Sequence, residues 1–328
     1  MKKTILVTGA AGFIGYHLSK KLCKEEHFVI GIDNLNDYYD VNLKKSRIEN
    51  INNENFKFFK IDINDQNSLK KLFSKFKIDR IIHLAAQAGV RYSLENPMAY
   101  VDSNLSGFIN IVELAKSNNV EHLVYASSSS VYGKNEKEKF NENDPTEKMV
   151  SLYAATKKSN ELIAGAYSHL YELPVTGLRF FTVYGPFGRP DMAYFKFTES
   201  ILQNKTINVF NYGNLFRDFT YIDDIVDGIN KIHGVFPNIV GKNGNQYLTE
   251  IYNIGNGNPI KLLDFIKELE LNLEKSSKKN MVEMQPGDVF KTCADIKKLN
   301  NLVGYEPKVD FKEGIKLFID WYKSYYAI

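Results

Sequence analysis

The 328-residue sequence predicts an α/β fold, a doubly wound parallel sheet with a smaller C-terminal lobe. Three observations carry that reading. Short β-rich runs alternate with longer helical patterns through the first two-thirds of the chain. The runs are apolar nearly throughout, as parallel strands covered on both faces must be. The first run passes through a glycine-spaced turn straight into a helix. Strands are expected near Ile5 to Thr8, Phe28 to Ile32, Phe56 to Phe59, Ile81 to Leu84, His122 to Ala126 and Val175 to Phe181. Helices are expected at Phe13 to Glu26, Ser68 to Phe76 and Asn96 to Ser117. After Phe181 the rhythm becomes irregular, with short strands around Ile207 to Phe210 and Phe216 to Ile222 and helices near Leu262 to Leu273 and Phe311 to Tyr325. The turn-rich stretch from Pro237 to Asn245 reads as a surface loop.

Composition narrows the function classes. Apolar residues make up 44% of the chain and charged residues 25%, enough for a buried core and too ordinary for disorder or a coiled coil. The net charge of +3 is too small and scattered to argue for nucleic acid or a charged membrane surface as partner. Cys23 and Cys293 lie far apart without metal-ligand spacing, so no metal site or disulfide framework is expected and a reducing cytoplasm is. The apolar start is broken by Thr8 and glycines, and no run of ~18 apolar residues follows, which argues against a leader or membrane span.

The first chemical motif is Gly9-Ala-Ala-Gly12-Phe13-Ile14-Gly15 between strand and helix. A turn built this way brings backbone amides to a pyrophosphate at a helix N-terminus, where unpaired N–H groups and the helix dipole favour anions. Asp33 ends the second strand 18 residues after Gly15, beside Asn34, where a carboxylate accepts from an adenosine ribose diol and repels a 2′-phosphate. The cofactor expected is therefore NAD rather than NADP. An alternative role for Asp33 is to cap the next helix, and Lys44, Lys45 and Arg47 follow as basic residues that would suit NADP. Two further strand ends, Asp62-Ile63 and Leu84-Ala85-Ala86-Gln87, belong to the same pocket because ligands lie outside the carboxyl ends of parallel strands. The expected division gives residues 1–181, with a returning segment at about 224–258, to a dinucleotide-binding domain, and residues 182–223 and 259–328 to a substrate lobe.

After the fifth strand, Ser127-Ser128-Ser129-Ser130 precedes Val-Tyr-Gly133, and 25 residues beyond Ser128 comes Tyr153-Ala-Ala-Thr-Lys157. Residues four apart share a helix face, so the Lys157 ammonium can favour the ionised form of Tyr153. A phenol near pKa ~10 needs such a neighbour to act as a base at neutral pH. The bland reading is an amphipathic Tyr and a solvated Lys on a surface helix.

The glycine turn, Asp33, the serine cluster and Tyr153/Lys157 together resemble the extended short-chain dehydrogenase/reductases, in particular the UDP-glucuronate 4-epimerases among the nucleotide-sugar 4-epimerases. The similarity continues through Ala88-Gly-Val-Arg91-Tyr-Ser93, Arg179-Phe180-Phe-Thr182-Val-Tyr-Gly-Pro186, Gly188-Arg189-Pro-Asp-Met192, Arg217-Asp-Phe-Thr-Tyr-Ile-Asp-Asp224 and Met284-Gln-Pro-Gly-Asp288. Phe187, Phe290 and Cys293 depart from the family pattern, in which Trp, Pro and Tyr are expected. The resemblance implies a Rossmann-type domain, a UDP-sugar substrate and a homodimer. It places Asn104 and Phe180 with the cofactor, Tyr153, Lys157 and Ser128 at the reacting C4 centre, and Arg91, Ser129 and Ser130 with the substrate. It also puts Arg217 on the diphosphate, with Asp288 orienting it or accepting from ribose.

Within the family, dehydratases carry Thr-Asp-Glu and decarboxylases Thr-Ser-Glu before Val-Tyr-Gly, whereas this chain has Ser128-Ser129-Ser130. Without a carboxylate there, reversible oxidation at C4 is the expected chemistry. Arg189 and Thr182 are the expected clamp for a uronate carboxylate, since a guanidinium pairs bidentately with that group; the alternatives for Arg189 are a surface-loop guanidinium and a contact to the nucleotide phosphates. UDP-glucose should then be a poor substrate, because a hydroxymethyl would leave the guanidinium without an anion. The alternatives are a 4-epimerase of a neutral UDP-hexose or UDP-N-acetylhexosamine, a UDP-glucuronate decarboxylase, and a non-catalytic NAD-binding regulator.

Overall fold

The first strand, β1 (Thr4–Thr8), is buried over all but its first residue, which is possible only at the centre of a sheet covered on both faces. In the computed structural model, which describes residues 2–240, 246–285 and 288–328, it opens a regular α/β series. The series continues as α1 (Phe13–Lys24), β2 (Phe28–Asp33), α2 (Val41–Glu49), β3 (Phe56–Lys60), α3 (Gln66–Lys75) and β4 (Arg80–His83). Then come α4 (Tyr92–Glu95), α5 (Pro97–Tyr100), α6 (Gly107–Ser117), β5 (His122–Ser128), α7 (Leu152–Tyr171) and β6 (Val175–Phe180). The remainder comprises β7 (Thr182–Tyr184), α8 (Ala193–Leu202), β8 (Thr206–Phe210), β9 (Phe216–Tyr221), α9 (Ile222–Ile232), β10 (Ile239–Val240) and β11 (Gln246–Tyr247). Last are β12 (Thr249–Ile254), β13 (Pro259–Lys261), α10 (Leu262–Leu273), β14 (Lys278–Val282), α11 (Lys297–Val303) and α12 (Phe311–Tyr326).

The chain forms two compact units. The first runs up to Gly133, resumes over Pro145–Arg179, and takes in the described residues between Val226 and Tyr252. Its central sheet has the order β12-β6-β5-β4-β1-β2-β3, with β1 paired in parallel to both β2 and β4. The strand order reverses at β1, so the carboxyl ends of β1 and β4 flank the switch point where ligands of such sheets bind. Edge strand β3 is only half covered and carries Lys57 and Lys60, which discourages further strand pairing. One face of the sheet buries Leu6, Ile30, Ile81 and Leu123 against Leu69, Leu72 and Phe73 of α3 and Phe108, Ile111 and Val112 of α6. Each such side chain contributes roughly 1.5–3 kcal/mol on burial.

Two expectations are corrected in this unit. The single helix expected over 96–117 is interrupted: a wide π turn at Val101–Ser106 separates α5 from α6. Gly107 follows because Ile63 packs there, within 2.4 Å of where a Cβ would stand. The loop expected from Pro237 to Asn245 contains strand β10, whose partner is β11; residues 241–245 lie outside the described residues.

The second unit comprises Lys134–Asp144, Phe180–Ile225 and Asn253–Ile328. The division differs from the expected one chiefly in that first segment, which the α/β rhythm does not reveal. Phe140 is what anchors it: buried, with its N–H on the Cys293 carbonyl at 2.8 Å and its own carbonyl accepting from Asp295 at 2.9 Å and Asn253 Nδ2 at 2.7 Å. β9 lies between β13, antiparallel, and β7, parallel, while β8 pairs with β14. Phe219 of β9 stacks on Phe265 of α10 with ring centres 4.8 Å apart.

Under this aromatic layer Asp218 is fully buried and accepts from the backbone N–H groups of Asn256 (2.7 Å), Gly257 (2.9 Å) and Ala294 (2.8 Å). One carboxylate thereby joins two separate chain segments, at Asn256–Gly257 and at Ala294. Asp218→Ala would leave those three donors buried without an acceptor and should lower stability by about 3 kcal/mol or more. Thermal unfolding would measure it, with Asp218→Asn, which keeps one acceptor oxygen, falling in between.

Candidate active site

The turn after β1 is folded tightly on itself. Gly9 has φ +70° and approaches the end of β4 so closely that a Cβ would lie 2.8 Å from the Ala85 nitrogen. A Cβ on Gly15 would lie 2.1 Å from the Gly9 carbonyl oxygen, so only glycine fits there. Gly12 caps α1 without any side-chain hydrogen bond, which leaves first-turn N–H groups of a twelve-residue helix for an anion. These features fit the dinucleotide expected from the sequence. Phe13 is buried on α1 and helps fix the turn from inside, while Ile14 is half-buried.

Asp33 is the second part of the cradle. Its carboxylate accepts from the Ala11 N–H at 3.2 Å and the Leu35 N–H at 2.8 Å, so it ties the glycine turn to the end of β2 rather than capping α2. That cap is Asp40, which accepts from Asn42. Burial pushes the Asp33 carboxyl up, opposed by the two N–H groups and by Lys44 and Arg47. Those two cations are themselves committed: Lys44 Nζ donates to the Asn36 carbonyl (2.6 Å) and side chain (2.7 Å), and Arg47 donates to the Ala11 carbonyl (2.9 Å) and Tyr39 hydroxyl (2.8 Å). They build the loop instead of waiting for a 2′-phosphate. Asn34 donates to Asp62 at 2.8 Å, which brings the ends of β2 and β3 together. Ile63, by contrast, packs in the core.

A polar chain runs along the strand ends from β1 to α7. Thr8 Oγ1 accepts from the N–H groups of Leu84 (3.2 Å) and Ala85 (3.1 Å) and therefore donates its own hydrogen to His83 Nδ1, 2.8 Å away. His83 is pushed down to about 3 by burial and by the charge of Lys157, so its imidazole is neutral and carries its proton on Nε2. Ala86 is half-buried beside Gln87. The π turn aims Asn104 inward, where its side chain accepts from the Gln87 N–H at 2.8 Å and donates to the Gln87 carbonyl at 3.0 Å and to Thr156 at 3.1 Å. Thr156 donates to the carbonyl of Tyr153, so Asn104 braces the β4 end and the start of α7 at once.

Tyr153 is half-buried on the first turns of α7, with its ring edge-on to Tyr100 at 6.1 Å. One turn on, Lys157 is 3% exposed and its ammonium donates to the Ala126 carbonyl at 2.8 Å. Burial alone pushes this lysine down to about 8. Ser128 Oγ accepts from both the Ser130 N–H (3.2 Å) and the Ser130 hydroxyl (2.9 Å), which leaves its own hydrogen to donate outward. Ser129 and Ser130 form the short 3₁₀ turn after β5. Beneath them lies a group that the sequence analysis missed: Glu161, held by Arg179 and by Ser127. The signals were present, a carboxylate four residues after Lys157 and an arginine inside an apolar strand. Arg91 is exposed at the start of α4.

In the second unit, Thr182 opens β7 and Phe180 is half-buried just before it. Arg217 on β9 donates to the Phe216 and Phe290 carbonyls (3.0 and 3.3 Å) and is pushed down by burial, against the opposing charge of Asp288. Arg189 carries an ion pair of its own. Its Nε and Nη2 bind the two oxygens of Asp191 at 3.0 and 2.5 Å, so the fork that was to clamp a substrate carboxylate already holds one. The pair closes within two residues, a spacing the sequence reading passed over. Among the described residues there is no cluster of metal-ligating side chains and no helix long and apolar enough to cross a membrane.

The family model described as GDP-mannose 4,6 dehydratase matches residues 6–318. Protein CapI of Staphylococcus aureus is 49% identical over 98% of this chain and 99% of its own length. UDP-glucuronate 4-epimerase 4 of Arabidopsis thaliana is 48% identical over 99% of this chain and 76% of its own. The crystal structure of UDP-glucuronic acid 4-epimerase from Bacillus cereus, in complex with UDP-glucuronic acid and NAD, is 35% identical and superposes with a TM-score of 0.89, covering 98% of this chain and all of that one.

Gly15→Ala tests the cradle, because the added methyl must displace the Gly9 carbonyl. Dinucleotide affinity measured by calorimetry should fall by ~10-fold or more, a loss of about 1.4 kcal/mol, and unchanged affinity would show that the turn is not the anion site.

Proposed function

Since this chain belongs to the extended short-chain dehydrogenase/reductase family whose model is described as GDP-mannose 4,6 dehydratase, we propose that it is an NAD-dependent epimerase interconverting UDP-glucuronate and UDP-galacturonate at C4. The observation that carries the reading is the unpaired charge of a desolvated Lys157 one helical turn from Tyr153, beside a serine turn with no carboxylate in it. NAD, when bound, accepts a hydride from C4 and returns it to the opposite face of the 4-keto sugar.

The chain's own residues do the rest. Gly9, Gly12 and Gly15 open the α1 N-terminus to the pyrophosphate, and Asp33 faces the ribose diol. Tyr153 removes the C4 hydroxyl proton and later gives it back, while the Lys157 ammonium favours the phenolate by opposite charge. Ser128, with both lone pairs occupied by Ser130, donates to the C4 oxygen. The absence of an acid or base in Ser128-Ser129-Ser130 leaves no group there to take the C5 proton, which separates this reading from dehydration. Arg217 offers its charge to the diphosphate and Asp288 orients it. A uronate carboxylate would fall to the hydroxyls of the serine turn. A homodimer would cover the exposed Ile109 of α6 and Leu162 and Leu170 of α7.

The Arg189–Asp191 pair favours one second reading, epimerisation of a neutral UDP-hexose, because it supplies the guanidinium with an anion in advance. The test is direct: UDP-glucuronate and UDP-glucose are each incubated with the NAD-loaded protein and C4 configuration is followed by NMR. Conversion of the uronate with higher kcat/KM supports the proposal; conversion of the hexose alone transfers it to the second reading, and no conversion of either removes both.

Two further outcomes are expected. Tyr153→Phe should lower kcat by ~10² or more with little change in KM. Lys157 is protonated below its pKa and loses its charge above it, so the rate should decline as pH rises through about 8. A rate that stays flat to pH values well beyond that would mean the lysine charge is not used.

A further inference from the structure

Lys157 and Glu161 stand four residues apart on α7, the spacing at which lysine and glutamate pair on a helix. They do not pair here. The ammonium is bound to the Ala126 carbonyl at 2.8 Å. Both carboxylate oxygens of Glu161 are taken: Oε1 by Arg179 Nε (2.8 Å) and the Ser127 hydroxyl (2.7 Å), Oε2 by Arg179 Nη2 (2.9 Å) and Lys158 Nζ (3.1 Å). Arg179 and Glu161 are almost wholly buried, with side chains 3% and 2% exposed. An ion pair so placed is poor evidence for stability, since well-packed apolar residues serve as well or better. Its contacts show what else it does. Ser127 follows Ala126, the residue whose carbonyl holds Lys157, and precedes Ser128.

We propose that Arg179 is a positioning residue of the epimerase: by occupying Glu161 in a fork it keeps that carboxylate off Lys157, and through Glu161 and Ser127 it fixes the end of β5. The inference rests on the reading of Tyr153 and Lys157 given above. An uncompensated cation is what a neighbouring phenol needs, and a salt bridge to Glu161 would neutralise it. Among the described residues, the other groups on elements packed against α7 supply no anion to Lys157: His83 on β4 is neutral, Tyr125 on β5 and Tyr132 after it are phenols, Tyr100 on α5 flanks Tyr153, Lys158 is a cation, and the acids of the π turn and of α4, Asp102 and Glu95, are exposed to solvent and do not shift the lysine. Arg179 is further seated by its stacking over Tyr132, 4.7 Å from the ring centre. Glu113 of α6, farther along, is bound by Tyr167 and Lys116. Among the described residues, Glu161 is the anion within a helical turn of Lys157.

The experiment compares the native enzyme with R179Q, R179K and the double variant E161Q/R179Q. Two readouts are used: the alkaline limb of kcat with UDP-glucuronate, and the titration of Lys157 by NMR of 13Cε-labelled lysine, its signal assigned by loss in K157R. R179Q frees a carboxylate to capture Lys157, so both readouts should move up by about one pH unit, with kcat at neutral pH reduced more than KM changes. The double variant has no carboxylate to free and should return the titration to its native position. R179K keeps the charge without the fork; it should shift in the same direction by less, and it serves where R179Q does not fold. A native titration position in both single variants overturns the proposal, as does a double variant displaced as far as R179Q. A native enzyme that leaves UDP-glucuronate unchanged would instead remove the function assigned above, and the NMR titration, which needs no substrate, would still decide this one.

Discussion

The chemistry of the first unit depends on one steric constraint, the close contact of the Gly9–Gly15 turn with itself and with the end of β4. Because no side chain intervenes, the Ala85 backbone can sit against Gly9, and Thr8 can reach the N–H groups of both Leu84 and Ala85. That second contact decides the direction of the Thr8 hydroxyl and hence the tautomer of His83. His83 in turn lies within the field of Lys157. A neutral imidazole beside a buried ammonium avoids placing a second cation in the interior. The same turn thus shapes an anion site on one side and settles the tautomer of His83 on the other.

How far the sequence shows this depends on the kind of interaction. Strands β1, β2, β4, β5 and β6 are legible because burial on both faces leaves nearly unbroken apolar runs, and α10 is legible because its apolar spacing is helical from end to end. The π turn is not, since one extra residue per turn shifts the pattern by too little to see between two helical segments; Asn104, a polar residue falling on an inward face, is its only local trace. The Lys134–Asp144 segment carries no periodic pattern at all and is held by backbone bonds to residues some 150 positions later, which a local reading cannot weigh. Asp218 is hidden for the same reason. Its partners are backbone N–H groups, and any residue could supply those.

Buried charges in this protein serve as joints. Arg47 bonds the carbonyl of the glycine turn, Asp224 holds the N–H groups of Lys308 and Val309, Asp218 joins two chain segments, and Glu161 with Arg179 holds the end of β5. Each sits near a stretch rich in candidate ligand-binding residues, and from sequence alone each competes with those for a functional role. Lys44 and Arg47 are the clearest case: as basic residues after Asp33 they suit a phosphate-bearing cofactor, yet they are spent on Asn36, Ala11 and Tyr39. Geometry separates the two roles because a guanidinium with filled donors attracts a further anion weakly.

The same reasoning changes what sets sugar choice. Oxidation at C4 turns a hexuronate into a β-keto acid, which loses CO₂ once its carboxylate bond lies parallel to the carbonyl π system, so an epimerase must hold that group out of alignment. An unpaired, desolvated guanidinium would do so and would also reject a neutral sugar strongly, because a hydroxymethyl leaves the buried charge without a partner. Arg189 is not in that condition. Where the pair with Asp191 is kept on binding, a neutral sugar would strand no charge on this residue and the strong penalty would disappear. On the proposed function, discrimination would then rest on hydroxyl groups such as those of the serine turn, which gain a charge-assisted bond from a carboxylate and keep an ordinary one with a hydroxymethyl. That difference is a preference and not an exclusion, and it makes Asp191, rather than Arg189, the residue whose removal would sharpen selectivity for the acid, by giving the guanidinium back its need for an anion.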